Sequence, residues 1–158
     1  MPTYKTHLVG GVASFFVMLK ITQYIWDKPT PAQIPICLAI CLLGSVFPDI
    51  DALKSKIQRI FYILVAALLL GALFFENWTL FFLISALALL VTQLKHRTLT
   101  HNISFLVSMP GFILLYISFG NQALFYPALI IYLYFIAGAI SHVLLDTFVT
   151  KINKSFGK

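Results

Sequence analysis

Histidine and acidic side chains are scarce in this sequence, and most of them occur in small groups. The chain has 158 residues, of which four are histidine and five are aspartate or glutamate. Seven of these nine form four groups: His7; Asp49 and Asp51; His96 and His101; His142 and Asp146. Neutral imidazoles and carboxylates are the ligands that zinc, manganese or iron select, so the groups predict a site for a divalent transition metal.

His142 and Asp146 are four residues apart, near the end of an apolar run. On a helix this spacing puts both side chains on one face, one turn apart, where they can bind the same ion. We expect the helix to end close to Asp146, so that its negative C-terminal dipole also favours a cation there. The alternative is a buried histidine hydrogen-bonded to an aspartate.

The motif Pro48-Asp49-Ile50-Asp51 follows an apolar run. Proline interrupts a helix, so both carboxylates are expected on an irregular turn where they can face one point. One of them would bind metal, while the other orients a ligating imidazole or accepts a proton. A solvated turn is the alternative reading of this motif.

The segment with His96, Arg97 and His101 is the densest in polar side chains. A spacing of five places the two imidazoles about 140° apart on a regular helix, so the segment is a turn or the histidines serve different ions. Arg97 is no metal ligand, but its planar donor fork suits a phosphate oxygen or a developing oxyanion. A basic residue here is also explained by membrane topology alone.

The composition decides which elements position these groups. Sixty per cent of the residues are apolar, 10% are charged and the mean hydropathy is +0.94. A soluble domain has about a quarter of its residues charged. Disordered, fibrous and ordinary soluble proteins are therefore excluded, and the surroundings of most of the chain are lipid.

Six apolar runs approach the roughly 20 residues that a helix needs to cross a bilayer. They cover residues 8–25, 34–47, 57–75, 78–94, 103–119 and 123–145. The second has 14 residues, short enough to be tilted, buried or re-entrant. The sequence therefore predicts an all-α, polytopic membrane bundle that forms a single domain over residues 1–158.

The basic residues predict the orientation of the bundle. If all six runs span, one side holds one lysine, Lys28, and the other holds nine basic residues: Lys5, Lys54, Lys56, Arg59, Lys95, Arg97, Lys151, Lys154 and Lys158. By the positive-inside rule both termini are then cytoplasmic. The same bias explains the net charge of +6. Because no patch gathers the basic residues, we expect no nucleic-acid partner.

Four motifs in this order carry a resemblance to a known family. They are Thr6-His7, the segment from Phe47 to Asp51, His96-Arg97-x-x-Thr100-His101, and Ser141-His142-x-x-Leu145-Asp146. The set resembles the YdjM-type inner-membrane proteins, which are taken to be membrane-bound, metal-dependent hydrolases of bacteria and archaea. The resemblance implies a multi-pass protein of the cytoplasmic membrane.

The chain departs from the family pattern at a few positions. Thr98 and Asn102 stand where the family most often has glycine and serine, and a short basic tail follows Asp146.

Together these observations predict a hydrolase with a site facing the cytoplasm. One or two metal ions, zinc or else manganese or iron, would be held by the seven histidine and aspartate side chains. Asp49 or Asp51 would act as general base, and Arg97 would hold a phosphate oxygen. A phosphate ester or phosphodiester of a membrane lipid is the expected substrate, although ester or amide hydrolysis by a single zinc ion would use many of the same residues.

Two alternatives stay open at this stage. The same residues could hold a divalent cation without turnover, in a structural or regulatory protein. A metal transporter fits less well, because transport sites lie near the bilayer midplane and these residues lie at helix ends. The sequence does not indicate the oligomeric state.

Overall fold

The computed structural model describes residues 4–25, 29–51, 55–93, 101–120 and 122–156. Within these ranges the chain forms six α-helices and one 3₁₀ turn, and no strand. They are α1 (Tyr4–Ile25), α2 (Gln33–Val46), the turn (Phe47–Asp51), α3 (Lys56–Phe74), α4 (Trp78–Gln93), α5 (Ile103–Gly120) and α6 (Gln122–Phe156). The predicted all-α fold is confirmed.

Five of the helical segments are long and apolar enough to cross a membrane. They are Tyr4–Ile25, Gln33–Ile50, Lys56–Phe74, Ile103–Gly120 and Gln122–Val149. The second segment combines the 14 residues of α2 with the turn that follows, which lengthens the short second run to 18 residues. The remaining helix, α4, has 16 described residues.

Large apolar side chains point outward on the membrane-spanning helices. Phe119 is 89% exposed and Val9 is 70% exposed, and many other phenylalanine, leucine and isoleucine side chains share this position. Apolar surface on this scale is rare in a soluble monomer but matches a hydrocarbon environment. The exposure pattern therefore agrees with the membrane location that the composition predicts.

The sixth helix is longer than the sequence analysis predicts. We expected it to end near Leu145, but α6 has 35 residues and continues to Phe156. Asp146 thus lies inside the helix, more than two turns before its end. The expected contribution of the C-terminal dipole at Asp146 is therefore wrong, because that effect is confined to the last turn.

The chain divides into two compact units, and each is described by itself. The first consists of residues up to Pro48 and from His101 onward, and the second of residues 49–100. In the first unit α1, α2 and α6 pack against one another, and α5 packs against α6. In the second, α3 packs against α4. The prediction of a single domain stays a prediction.

Glycines allow α2 and α6 to approach closely in the first unit. A side chain on Gly44 would overlap the backbone carbonyl of Phe135, and one on Gly138 would overlap that of Cys41. Small residues at such crossings let helix backbones meet in a membrane, where packing rather than water exclusion drives association. The two helices thereby hold their flanking residues in a fixed register.

The core of the first unit is built around this crossing. Phe15, Cys37, Cys41 and Tyr134 form its buried cluster. The Cys41 thiol donates a hydrogen bond to the Gly11 carbonyl over 3.3 Å. Both cysteines are free and buried, so they serve as small packed side chains.

Candidate metal centre

Four of the predicted site residues meet in the first unit. His7 lies in the second turn of α1, His101 lies just before α5, and His142 and Asp146 lie one turn apart on α6. We call these four residues the His–Asp cluster. His7 and His142 are almost completely buried, with 1% and 0% of their surface exposed. Three separate segments therefore bring their polar side chains to one point of an apolar bundle.

Asp146 is the centre of this cluster. Its Oδ1 lies 3.6 Å from His7 Nε2, and its Oδ2 lies 3.4 Å from His101 Nε2 and 3.8 Å from His142 Nε2. Hydrogen bonds between a charged nitrogen donor and a carboxylate are shorter, at about 2.7–2.9 Å. Ligand atoms bound at about 2.0–2.1 Å around a tetrahedral zinc ion lie about 3.3 Å apart. The separations are thus close to those between ligands of a shared metal ion.

The other nitrogen of His142 is held by the backbone of α2. His142 Nδ1 lies 2.7 Å from the Ser45 carbonyl oxygen. A carbonyl can only accept, so Nδ1 carries the proton and donates it. In the neutral ring the lone pair is then on Nε2, which faces Asp146. In most metal-binding histidines, the ring nitrogen that does not bind the metal donates a hydrogen bond, and this bond fixes the tautomer and the orientation of the ring.

Pro48 explains why the Ser45 carbonyl can accept this bond. Near the end of α2 the helix tightens, and the Phe47 N–H donates to both the Leu43 and the Gly44 carbonyls. In the i→i+3 pattern of a 3₁₀ turn, the next carbonyl, Ser45, would accept from residue 48. Proline has no N–H to donate, so this partner does not exist and His142 takes its place.

This arrangement predicts the effect of the substitution Pro48→Ala. The new N–H would compete with His142 Nδ1 for the Ser45 carbonyl, a bond worth about 1 kcal/mol. We expect ¹⁵N NMR of histidine-labelled protein to show His142 as the Nδ1–H tautomer in the wild type and as a mixture in the variant. Pro31→Ala, at an exposed proline before α2, is the control. An unchanged tautomer in Pro48→Ala would refute this role of the proline.

The imidazole rings divide between the two oxygens of Asp146. His7 and His142 stack with their ring centroids 3.7 Å apart and their planes 15° from parallel, and His101 meets His142 edge-on. The lone pair of an imidazole nitrogen lies in the plane of its ring. Because the planes of His7 and His142 are nearly parallel, their lone pairs do not converge on one ion. His7 therefore belongs with Oδ1, while His101 and His142 belong with Oδ2. In this arrangement the carboxylate can bridge two ligand positions.

The structure describes only some of the remaining predicted residues. Asp49 occupies the 3₁₀ turn, whose irregular backbone was predicted, and its carbonyl accepts a hydrogen bond from Ser55 Oγ over 3.3 Å. Asp51 ends this turn, but its side chain is outside what the structure describes. His96 and Arg97 also lie outside the described residues. Their roles stay predictions from the sequence.

Sequence reasoning missed the parts played by Ser45 and Pro48. The usable signal was a small polar residue three positions before a proline at the end of an apolar helix. This signal does not identify which residue donates to the Ser45 carbonyl, because Ser45 and His142 are 97 residues apart in the chain. Only the packing of α2 against α6 brings them together.

Comparison with known proteins gave one match. The sequence profile of the YdjM inner membrane protein family matches residues 1–153. Searches among curated proteins and among solved structures found no match. The matched region includes the whole His–Asp cluster.

Proposed function

The chain belongs to the YdjM inner membrane protein family, and we propose that it is a membrane-embedded, metal-dependent hydrolase. The observation that carries the proposal is the His–Asp cluster, in which three imidazoles surround one carboxylate at 3.4–3.8 Å. Few polar groups are buried in this bundle, and burying them is costly unless they are bound. A set of this chemistry at this spacing is expected to serve a bound ion.

The residues present fit a divalent transition metal. Imidazole nitrogen and carboxylate oxygen suit zinc first, and manganese or iron next. His7 Nε2 lies 3.6 Å from Asp146 Oδ1, and the Nε2 atoms of His101 and His142 lie 3.4 and 3.8 Å from Asp146 Oδ2. A bound ion would activate a water molecule as nucleophile and polarise the bond to be cleaved. The two oxygens of Asp146 support a site for one or two ions.

The protein's own residues would supply the proton transfer and the substrate contacts. We assign proton abstraction from the attacking water to Asp49 or Asp51, whose carboxylates follow Pro48. Arg97 would hold a non-bridging phosphate oxygen through its planar donor fork. Ser45 would keep His142 oriented through the bond to Nδ1.

The proposed substrate is a phosphate ester or phosphodiester of a membrane lipid. The cluster lies within helices whose outer surfaces face lipid, so a substrate that already resides in the bilayer needs no path through water. Lys56 and Arg59, at the exposed start of α3, would attract an anionic headgroup, although membrane topology also accounts for them.

Arg97→Ala separates catalysis from a purely structural metal site. We expect the purified variant to keep its metal but to hydrolyse a lipid phosphate about 10²–10³-fold more slowly, the usual cost of losing one donor to a developing oxyanion. Metal content is measured by mass spectrometry of the protein, and turnover by phosphate release. Lys151→Ala is the control, because it removes an exposed basic side chain of α6 to which no part in substrate binding is assigned.

Other outcomes of the same experiment would count against the hydrolase. Metal-loaded wild type that cleaves no lipid phosphate, ester or amide would indicate an ion that only joins the helices. Cleavage of an ester or amide alone would overturn the substrate class. Wild type that carries no transition metal would overturn the metal site itself.

A further inference from the structure

An apolar groove lies on the outer surface of the first unit. It is formed by side chains of three helices, has a volume of about 250 Å³, and is lined by residues that include Ile40, Ile113, Ile117, Ala128, Ile131 and Phe135. Ile113 is 56% exposed and Ile131 is 41% exposed, so the groove is open along one side. In a membrane that open side faces hydrocarbon.

Pro110 and Tyr132 shape the groove and hold it open. Pro110 lines it from within α5 and has no N–H, so the hydrogen-bond ladder of α5 is interrupted there. The Tyr132 hydroxyl donates to the Val107 carbonyl over 3.2 Å, which ties α6 to this part of α5. The groove is thus a fixed feature of the α5–α6 pair.

The groove and the His–Asp cluster share one face of α6. Ala128, Phe135 and His142 follow one another at seven-residue intervals, each step turning only about 20° around the helix. Asp146 is 18 residues after Ala128, which is five full helical turns at about 3.6 residues each. Both sites therefore lie along a single stripe of the helix.

The end of the groove nearer to the cluster lies within the depth of one leaflet. At about 1.5 Å per residue, Phe135 and Ala128 lie about 10 and 21 Å along the helix from His142. One leaflet contributes about half of the roughly 30 Å hydrocarbon core. Since one leaflet is about 15 Å deep, a lipid with its headgroup at the cluster would enter the groove beside Phe135 and extend toward Ala128.

The size of the groove selects a single chain as its occupant. Its volume of about 250 Å³, spread over about 10 Å of helix, gives a cross-section of about 25 Å², whereas a helix about 10 Å wide needs about 80 Å². It is also smaller than the roughly 300–1,000 Å³ of sites that enclose a whole small molecule. One hydrocarbon chain can therefore lie along the groove, whereas only one edge of a helix would enter it.

We propose that this groove binds one hydrocarbon chain of the lipid whose phosphate headgroup lies at the His–Asp cluster. The proposal rests on the hydrolase proposed above, and it adds which part of the substrate is recognised away from the metal. The groove would orient the lipid, so that chain binding and headgroup binding strengthen each other.

Photocrosslinking tests the proposal without turnover. The full chain is placed in vesicles of phosphatidylethanolamine and phosphatidylglycerol with a phosphatidic acid that carries a diazirine midway along one acyl chain. We expect crosslinks to concentrate on the groove residues of α5 and α6. Ala128→Phe, which fills the groove, should reduce them about tenfold, the factor that loss of two buried methylene groups brings.

The controls separate this proposal from the metal site. Ala67→Phe adds the same side chain to an exposed position of α3 and should leave the crosslinks unchanged, and neither substitution should alter metal content. Ile113→Trp, on the α5 wall, replaces Ala128→Phe if that variant does not fold. Crosslinks spread evenly over the helices would overturn the groove, as would equal crosslinking of a diacylglycerol probe without the phosphate. Wild-type protein that shows the groove crosslinks but carries no metal, or that cleaves no lipid phosphate, would instead overturn the proposed function alone.

Discussion

Asp146→Asn should abolish metal binding and hydrolysis together. The Asp146 side chain lies within 3.8 Å of three imidazoles, so its charge is shared by all the ligand positions of the cluster. The amide has the same shape but no negative charge, and its nitrogen is not a metal ligand. We expect metal affinity to fall about a hundredfold or more, since even indirect partners of metal ligands are worth 10–100-fold. Titration with zinc and the rate of phosphate release measure the two losses.

Thermal unfolding distinguishes a metal ligand from a merely structural aspartate. An ion present at a hundred times its dissociation constant stabilises the folded protein by about 2.7 kcal/mol, so zinc should raise the unfolding temperature of the wild type but not of Asp146→Asn. Glu76→Gln makes the same chemical change at an exposed turn and should keep the response to zinc. If zinc stabilises the aspartate variant as much as the wild type, Asp146 does not bind the metal.

The sequence was sufficient to predict the helices and the candidate residues, since both depend on local patterns. Apolar runs separated by short polar stretches predict membrane helices because lipid forces every backbone group to bond within its own segment. The spacing of His142 and Asp146 predicts one helical face for the same local reason. His7 and His101 were candidates because ionisable residues are costly in a chain with so little charge.

The end of α6 was predicted too early because the end of the apolar run was taken as the end of the helix. A bilayer limits the apolar part of a helix, so the run was expected to stop at Leu145. The helix itself ends where the sequence stops favouring it, and residues from Thr147 to Phe156 include neither glycine nor proline. Accordingly, α6 continues through Phe156, the last residue that the structure describes.

Contacts between distant segments were beyond the reach of local patterns. The bond between His142 and Ser45 depends on how α2 and α6 cross, which no spacing along the chain reveals. Gly44 directly precedes Ser45, and Gly138 lies one turn before His142. The two glycines that allow the close crossing therefore also set the distance between the His–Asp cluster and the carbonyl that orients it.

Gly138→Ala should therefore damage the fold and the metal centre at once. The added methyl group would overlap the Cys41 carbonyl and come within 2.8 Å of the Ser45 backbone nitrogen. Backbone atoms cannot rotate away, so α2 and α6 must separate, and we expect a loss of about 2–4 kcal/mol, at or above the usual cost of overpacking. Unfolding in detergent measures the loss, and zinc titration at a temperature where the variant stays folded measures the weakened site.

Gly71→Ala is the matched control for this substitution. Gly71 also lies inside a membrane-spanning helix, but nothing lies within 4 Å of the position that a methyl group would take. Alanine favours a helix over glycine by about 0.5–1 kcal/mol, so this variant should be as stable as the wild type or slightly more stable. If both variants behave alike, the close crossing of α2 and α6 does not limit stability. If Gly138→Ala is destabilised but binds zinc as tightly as the wild type, the crossing does not position His142.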